Sequence, residues 1–376
     1  MVHILQRKKA SLLLEDGSLF HGFSFGAEIP TQGEIVFNTG MMSYPESMTD
    51  PSYAGQVIVF TYPLIGNYGV PAQKREHQIV QNMESEKIQC RAIIVAEYSD
   101  HYAHPTAAKS LEHWLKEEKI SALTGIDTRA LTKKLREHGT MLGKIIFDTP
   151  LHEPFLDPNE QNLVASVSTK QRIVYGDGPF HILVIDCGIK HGILRSLSRP
   201  DTTLIRVPWD YDFTDEIEMY DGIVISNGPG DPKMCDKTIQ HLRQAIQTYI
   251  PLFGICLGIQ LLALAAGANT YKLKYGHRSQ NQPCIDLITK RCFITAQNHG
   301  FAIEKNTLPE SWNTWFINAN DGTIEGIQHA TKPIFAVQFH PEACSGPKDT
   351  SWLFDYFLQE IKKYKQQQTV LTQPHG

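Results

Sequence analysis

Gly254-Ile255-Cys256-Leu257-Gly258-Ile259-Gln260 constrains the fold of this chain more than any other stretch. Upstream, Pro251-Leu252-Phe253 opens a short apolar run of strand type. Downstream, Leu261-Leu262-Ala263-Leu264-Ala265-Ala266 is a strong helix former that stops at Gly267, where a C-cap glycine is common. The pattern predicts a sharp strand-to-helix turn with one nucleophile at its apex. Glycines two residues to either side of Cys256 remove side chains that would crowd such a turn, as in the G-x-S-x-G nucleophile elbow, here with sulfur in place of oxygen. The helix N-terminus that follows favours thiolate over thiol and can donate N–H groups to an oxyanion. A buried structural cysteine in an apolar strand is the alternative that this stretch leaves open.

The elbow sits in a region of alternating strands and helices. Phe180–Asp186 reads as a continuous apolar strand, 190–198 as a helix, 202–207 and 221–226 as strands, and 236–249 as a helix. Near-continuous apolar strands alternating with helices predict an α/β domain with a mainly parallel sheet, in which ligands bind outside the carboxyl ends of the strands. That rule gathers two further motifs beside Cys256. Ser226-Asn227-Gly228-Pro229-Gly230-Asp231-Pro232 follows a strand, and its glycines would let backbone N–H groups approach a substrate closely; an ordinary turn is the other reading. Phe339-His340-Pro341-Glu342 follows the strand 334–339. Pro341 disfavours helix at His340, and in an extended segment His340 and Glu342 point the same way, so the carboxylate can orient the imidazole. Together these residues read as a Cys-His-Glu triad of nucleophile, base and orienter.

The first part of the chain has a different style. Short apolar runs at 10–14, 19–23, 34–38 and 56–62, closed by Gly, Pro, Asn or Asp, predict a β-rich module, with a further strand within 90–98. Between Thr39 and Gly55 a polar loop is expected. Residues 106–119 read as an amphipathic helix, and Asp127-Thr128 can cap another that ends before Gly139. At 376 residues, two domains are expected: 1–150, a linker over 151–178, a second domain over 179–366, and a polar tail over 367–376.

Composition removes several classes of function. A formal charge of −5 and a pI near 6.3 give no electrostatic reason to expect nucleic acid or an anionic membrane as partner. No uninterrupted stretch reads as a membrane span, and the first residues lack an apolar signal core, so a cytoplasmic protein is expected. Seven scattered cysteines without a C-x-x-C pair indicate neither a disulfide framework nor a zinc site. A metal site built from His277, Cys284, Cys292 and His299 would have irregular spacing, and no metal is expected. No phosphate-binding glycine loop of the G-x-G-x-x-G or G-x-x-x-x-G-K-[ST] type is present.

The G-I-C-L-G-x-Q elbow, the S-N-G-P-G-D-P loop, Gln297-Asn298-His299-Gly300-Phe301 and the final H-P-E resemble those of class I, triad-type glutamine amidotransferases. The first half narrows the resemblance. Phe37-Asn38-Thr39-Gly40, Thr49-Asp50-Pro51-Ser52-Tyr53, Pro63-Leu64-Ile65-Gly66-Asn67-Tyr68-Gly69 and Thr124-Gly125-Ile126-Asp127-Thr128-Arg129 are similar to the small, glutamine-hydrolysing chains of carbamoyl-phosphate synthases. The resemblance implies a β-rich N-terminal domain followed by an open, mainly parallel-sheet α/β amidotransferase domain. It implies Cys256 as nucleophile, His340 as acid/base and Glu342 as orienting carboxylate. It further implies L-glutamine contacts from Ser52, Gly228, Gly230, Leu257, Gln260, Asn298, Gly300 and Phe301. No cofactor is implied for this chain; ATP and Mg²⁺ would be used by a large synthetase subunit, the implied partner, in making carbamoyl phosphate for arginine and pyrimidine synthesis. A stand-alone hydrolase of the γ-glutamyl type and a non-catalytic regulatory subunit are the competing readings.

Overall fold

The computed structural model describes residues 7–148 and 153–372, and the chain divides into two compact units. The first comprises residues up to Arg75 and Val80–Leu163; the second comprises Glu76–Ile79 and the chain from Val164 onward.

In the first unit seven strands close into a barrel: β1 (Lys9–Leu14), β2 (Leu19–Ser24), β3 (Thr31–Asn38), β4 (Gln56–Phe60), β5 (Ala92–Ile94), β6 (Ser121–Thr124) and β7 (Met141–Ile146). Their order is β1-β7-β3-β4-β5-β6-β2, with parallel pairing from β3 through β6. Alternate residues of β1, Leu12 and Leu14 among them, are fully buried, as strand periodicity requires when one face meets a core. The helix Thr128–His138 is capped as expected, with Asp127 Oδ1 accepting the Ala130 N–H at 2.9 Å. The expected polar loop between Thr39 and Gly55 instead holds the short helix Tyr44–Thr49 and a 3₁₀ turn, Pro51–Tyr53. Its aromatic and methionine side chains explain the difference, because Tyr44, Met48 and Tyr53 are buried in the core. Part of the expected helix 106–119 is a short strand, Ala107–Lys109; the helix proper begins at Leu111 behind the cap Ser110.

Ten strands form one sheet in the second unit: β8 (Ile173–Tyr175), β9 (Phe180–Asp186), β10 (Thr202–Pro208), β11 (Gly222–Ile225), β12 (Leu252–Ile255), β13 (Thr270–Asp286), β14 (Cys292–Ile303), β15 (Trp312–Asn318), β16 (Ile324–His329) and β17 (Ile334–Val337). The order is β8-β10-β9-β11-β12-β17-β16-β15-β13-β14. Strands β10, β9, β11, β12 and β17 run parallel, and the sheet continues through antiparallel strands to an open edge at β14. Parallel registry aligns Ile225 with Gly254 and Gly254 with Ala336, so β11, β12 and β17 end at one level and deliver their loops side by side. Residues 164–175, expected within the linker, carry the short helix Val164–Val167 and the edge strand β8. The final helix, Trp352–Thr372, takes in the first six residues of the expected tail; residues 373–376 and the linker positions 151 and 152 lie outside the described residues. Among the described residues, no helix is long and apolar enough to cross a membrane.

The helix Leu257–Ala266 lies in the core and ends on Gly267, whose φ of 101° is the left-handed cap expected there. Two close approaches set its angle to β12. A Cβ on Gly254 would meet the Gly258 carbonyl at 2.8 Å, and one on Gly258 would meet the Ile225 carbonyl oxygen at 2.2 Å. Gly258→Ala is therefore expected to destabilise the protein by about 3 kcal/mol, from overpacking against unyielding backbone. Urea unfolding checks this; a change below about 0.5 kcal/mol, the range of innocuous surface substitutions, would contradict the packing argument.

Candidate active site

Cys256 occupies the turn between β12 and the helix Leu257–Ala266, with φ 56° and ψ −102°, outside the usual regions for a residue with a side chain. Its N–H is held by the Val337 carbonyl at 2.8 Å, which ties the turn to β17. The side chain is buried, and Sγ lies 3.6 Å from the Asn298 carbonyl oxygen and 3.7 Å from Gln338 Nε2.

His340 follows β17 by three residues and is anchored through its own N–H to the Ala296 carbonyl at 2.9 Å. Its Nδ1 lies 2.7 Å from Glu342 Oε1, and the same carboxylate oxygen lies 2.8 Å from Lys190 Nζ; all three side chains are buried. Burial would lower the His340 pKa, but the Glu342 carboxylate, opposed by Lys190 and assisted by the Cys256 sulfur, raises it to about 10. Burial would likewise raise Glu342; the Lys190 ammonium and His340 outweigh it and hold the carboxyl far below the usual carboxylate range. A permanent carboxylate fixes Nδ1 as the donor toward Glu342. Nε2, buried on the side of the Cys256 sulfur, is then the nitrogen that can exchange a proton.

The loops around this group are built by short-range bonds. Asp186, at the end of β9, accepts N–H groups from Gly188 and Ile189 at 2.8 Å and pairs with Arg206, so the turn that presents Lys190 is fixed at its root. The Lys190 N–H donates to Asn227 Oδ1 at 3.0 Å, and Ser226 Oγ accepts the Cys187 N–H at 2.9 Å, which joins that turn to the Ser226–Pro232 loop. A Cβ on Gly228 would meet the Cys187 carbonyl oxygen at 2.1 Å and Leu257 Cδ2 at 2.7 Å, so the glycine lets this loop lie against the first residue of the elbow helix. Gly230 adopts φ 83° in the same loop.

Gln260, one turn into the helix, donates from Nε2 to the Phe301 carbonyl at 2.9 Å and to Gln338 Oε1 at 3.1 Å. Its carboxamide nitrogen is thus committed to the protein. Asn298, Gly300 and Phe301 lie on β14, with the Asn298 carbonyl at Cys256 and the Phe301 carbonyl at Gln260. The second unit therefore brings together Cys256, His340, Glu342, Gly228, Leu257, Gln260, Asn298 and Phe301, with Gly230 and Gly300 on the same loop and strand. Ser52 is not among them. It lies in the first unit, buried in the turn Pro51–Tyr53, with its N–H donating to Asp50 Oδ1 at 2.9 Å.

Of the four residues weighed as metal ligands, His277 and His299 come together with Glu325, whereas Cys292 is exposed. His277 Nε2 lies 2.8 Å from Asp321 and Nδ1 3.4 Å from Glu325. Burial works against the His277 cation, but the two carboxylates raise its pKa, as for an imidazolium between two anions. Glu325 also accepts from Gln297 Nε2 at 3.0 Å, which supports β14 beside Asn298.

Lys190 and Gln338 are the site residues that the sequence reading missed. Gln338 carried a usable signal, because in an extended segment Gln338, His340 and Glu342 occupy positions i, i+2 and i+4 of one face. Lys190 had only its place just beyond a parallel strand.

The family model described as "Glutamine amidotransferase class-I" matches residues 183–360, which contain every residue that the second unit brings together. A second, "Carbamoyl-phosphate synthase small chain, CPSase domain", matches residues 12–145. The chain is 48% identical over 370 residues to the carbamoyl phosphate synthase arginine-specific small chain of Aspergillus oryzae, covering 96% of this chain and 82% of that one. It is equally similar, 48% over 364 residues, to the protein of that description from Chaetomium globosum, with 95% and 79% covered. It is 50% identical over 381 residues to the multifunctional protein pyr1-3 of Dictyostelium discoideum, covering 95% of this chain and 17% of that much longer one. The chain belongs to the carbamoyl-phosphate synthase small-chain family.

The buried charges make opposite predictions for two neighbours of His340. Glu342→Gln removes the carboxylate that holds the imidazolium, so the His340 titration, followed by NMR of its ¹⁵N-labelled ring, is expected to move to lower pH by on the order of one to three units. Lys190→Met removes a cation that opposes protonation and is expected to move it upward. Shifts of the same sign in both variants would contradict this arrangement.

Proposed function

We propose that the chain hydrolyses L-glutamine to glutamate and ammonia at Cys256 and passes the ammonia to a large synthetase subunit. That partner would use bicarbonate and ATP, with Mg²⁺, to make carbamoyl phosphate. The observation that carries this reading is the buried run from Lys190 through Glu342 to His340 beside a cysteine on a strand-to-helix turn, in a chain of the small-chain family. The free state of all seven cysteines suits a reducing compartment, and the cytoplasm is the one we propose.

A side-chain amide is a poor electrophile, so the reaction begins with the strongest nucleophile available. The Cys256 thiolate attacks the amide carbon, and the carbonyl electron pair moves to oxygen. We assign that oxyanion to N–H groups of the first turn of the helix after Cys256, with those of Gly228 and Gly230. His340 Nε2 gives its proton to the amide nitrogen as the C–N bond breaks, because ammonia leaves far more readily than amide anion. A glutamyl thioester remains. Water then attacks it, losing a proton to the same Nε2, and the C–S bond breaks to release glutamate and restore the cysteine. Glu342 keeps the imidazole in one orientation throughout, and Lys190 keeps Glu342 ionised. The Gln260 carboxamide oxygen, Asn298, Gly300 and Phe301 are the groups we assign to the amino-acid end of glutamine. Ser52 is included on the resemblance alone.

The test is glutamine-dependent and ammonia-dependent carbamoyl phosphate formation by the chain combined with a large synthetase subunit. Cys256→Ala is expected to reduce the glutamine reaction by on the order of 10⁴-fold or more, as loss of a nucleophile does in comparable triads, and to leave the ammonia reaction intact. Survival of the glutamine reaction would overturn the assignment. Full glutamine hydrolysis by the chain alone, with no carbamoyl phosphate formed beside a competent partner, would mark an independent hydrolase instead.

A further inference from the structure

Besides His340, Cys256 Sγ has two polar neighbours of opposite kind: the Asn298 carbonyl oxygen, an acceptor, at 3.6 Å, and Gln338 Nε2, a donor, at 3.7 Å. A thiol can satisfy the first by donating S–H. A thiolate cannot, and the carbonyl dipole then opposes the charge on sulfur. Deprotonation therefore leaves Gln338 as the neutral donor on that sulfur.

From this geometry we infer that Gln338, which nothing in the family resemblance assigns, is a catalytic residue that holds the Cys256 thiolate, and that its aim is set by a relay from the Phe301 backbone. The inference rests on the proposed glutamine hydrolysis and adds a participant to it. The relay follows from which groups can turn over. A carboxamide can be rotated to exchange its oxygen and nitrogen, but a backbone carbonyl cannot. The Phe301 carbonyl demands a donor and receives Gln260 Nε2 at 2.9 Å. With that nitrogen fixed, its second N–H donates to Gln338 Oε1, the nitrogen lying 3.1 Å from that oxygen. Fixing the Gln338 oxygen there turns its NH₂ toward sulfur. Rotating Gln338 would face one NH₂ with another and place an oxygen on the thiolate; rotating both amides would face two oxygens at Phe301.

Burial makes the relay rigid. Gln338 is fully buried, Gln260 is nearly so, and the Gln338 N–H is held by the Glu325 carbonyl at 2.9 Å. The neutrality of the donor matters. A second cation on sulfur would stabilise the thiolate further but reduce its nucleophilicity, which falls with thiol basicity. An amide N–H lends a partial charge and releases it when sulfur becomes the uncharged thioester. The relay also links the group assigned to the substrate's amino-acid end, Gln260, to the reacting atom through one intervening side chain.

Two substitutions test this in the chain combined with a large synthetase subunit. Gln338→Glu keeps the length and the oxygen that accepts from Gln260, but puts a second oxygen where the N–H faced sulfur. Gln338→Met keeps the volume and removes both polar groups. The readouts are alkylation of Cys256 by iodoacetamide at pH 7, identified by peptide mass, and kcat and KM for glutamine hydrolysis. In both variants alkylation and kcat are expected to fall together by about tenfold or more, the scale of one hydrogen bond to a charged group, with KM within about threefold. Unchanged alkylation, or a loss confined to KM, would overturn the inference, since a merely structural side chain would not slow a reaction of sulfur with a small reagent. Should Gln338→Glu fail to assemble with the partner, Gln338→Met carries the same decision. Failure of wild type to hydrolyse glutamine would instead strike the proposed function, because alkylation reports on sulfur without turnover.

Discussion

A side-chain-bearing residue held at φ 56° and ψ −102° is strained, at a cost of order 1–3 kcal/mol, and survives only where its surroundings over-determine it. At Cys256 the surroundings are backbone. The N–H is tied to Val337 on the neighbouring strand, and the helix that follows is pressed so near β11 and β12 that neither Gly254 nor Gly258 can carry a Cβ. The strain places the sulfur above the carboxyl ends of the parallel strands and leaves the first turn of a buried helix directly behind it. The other loops of the site are placed relative to this turn. Gly228 lies against Leu257, and the Asn298 carbonyl meets Sγ itself.

The antiparallel half of the sheet has a separate task. Strand β14 brings backbone carbonyls to the Cys256 sulfur and to the Gln260 carboxamide, and strand backbone fixes such groups better than a loop would. Behind it, Glu325 and Gln297, with His277 between Glu325 and Asp321, fill the interior with partnered polar groups in place of an apolar core. Polar packing of this kind is demanding, because each donor must find its acceptor, and for that reason it specifies orientation. The amide relay from Phe301 through Gln260 to Gln338 shows the same principle within the site.

Much of this was legible in the sequence, for identifiable reasons. The elbow could be read because a glycine-flanked cysteine between an apolar run and a helix former admits few conformations. His340 and Glu342 could be read because strand periodicity puts them on one face. The parallel strands announced themselves as continuous apolar runs, and β9 begins and ends where expected. The antiparallel strands β13 to β16 were missed because their exposed and buried residues do not alternate cleanly; none of Lys272–Tyr275 in β13 is buried, and the register shifts there. Lys190 was invisible for a different reason. A lysine after a strand looks like a solvated end, and only the folded chain reveals a carboxylate in the interior that requires it. The segment between Thr39 and Gly55 misled through its prolines and polar residues, which do not disclose that Tyr44 and Tyr53 are core side chains.

The charges of the site also suit the thiolate that the proposed reaction requires in so buried a place. Lys190 and Glu342 cancel, so with a thiol and a neutral imidazole the group carries no net charge. Moving the Cys256 proton to His340 leaves the sum at zero and separates charge only between sulfur and ring. The desolvation cost that makes isolated buried ions so unfavourable is thereby confined to a short dipole. Glu342 lies at the positive end of that dipole and stabilises the imidazolium. At the negative end stand a helix N-terminus and one amide donor. Removing Lys190 would break the cancellation, since Glu342 would then need the His340 proton for its own neutrality and would compete with sulfur for the charge state that chemistry needs. Lys190 touches neither sulfur nor substrate in this account, yet its charge allows His340 to belong to Cys256.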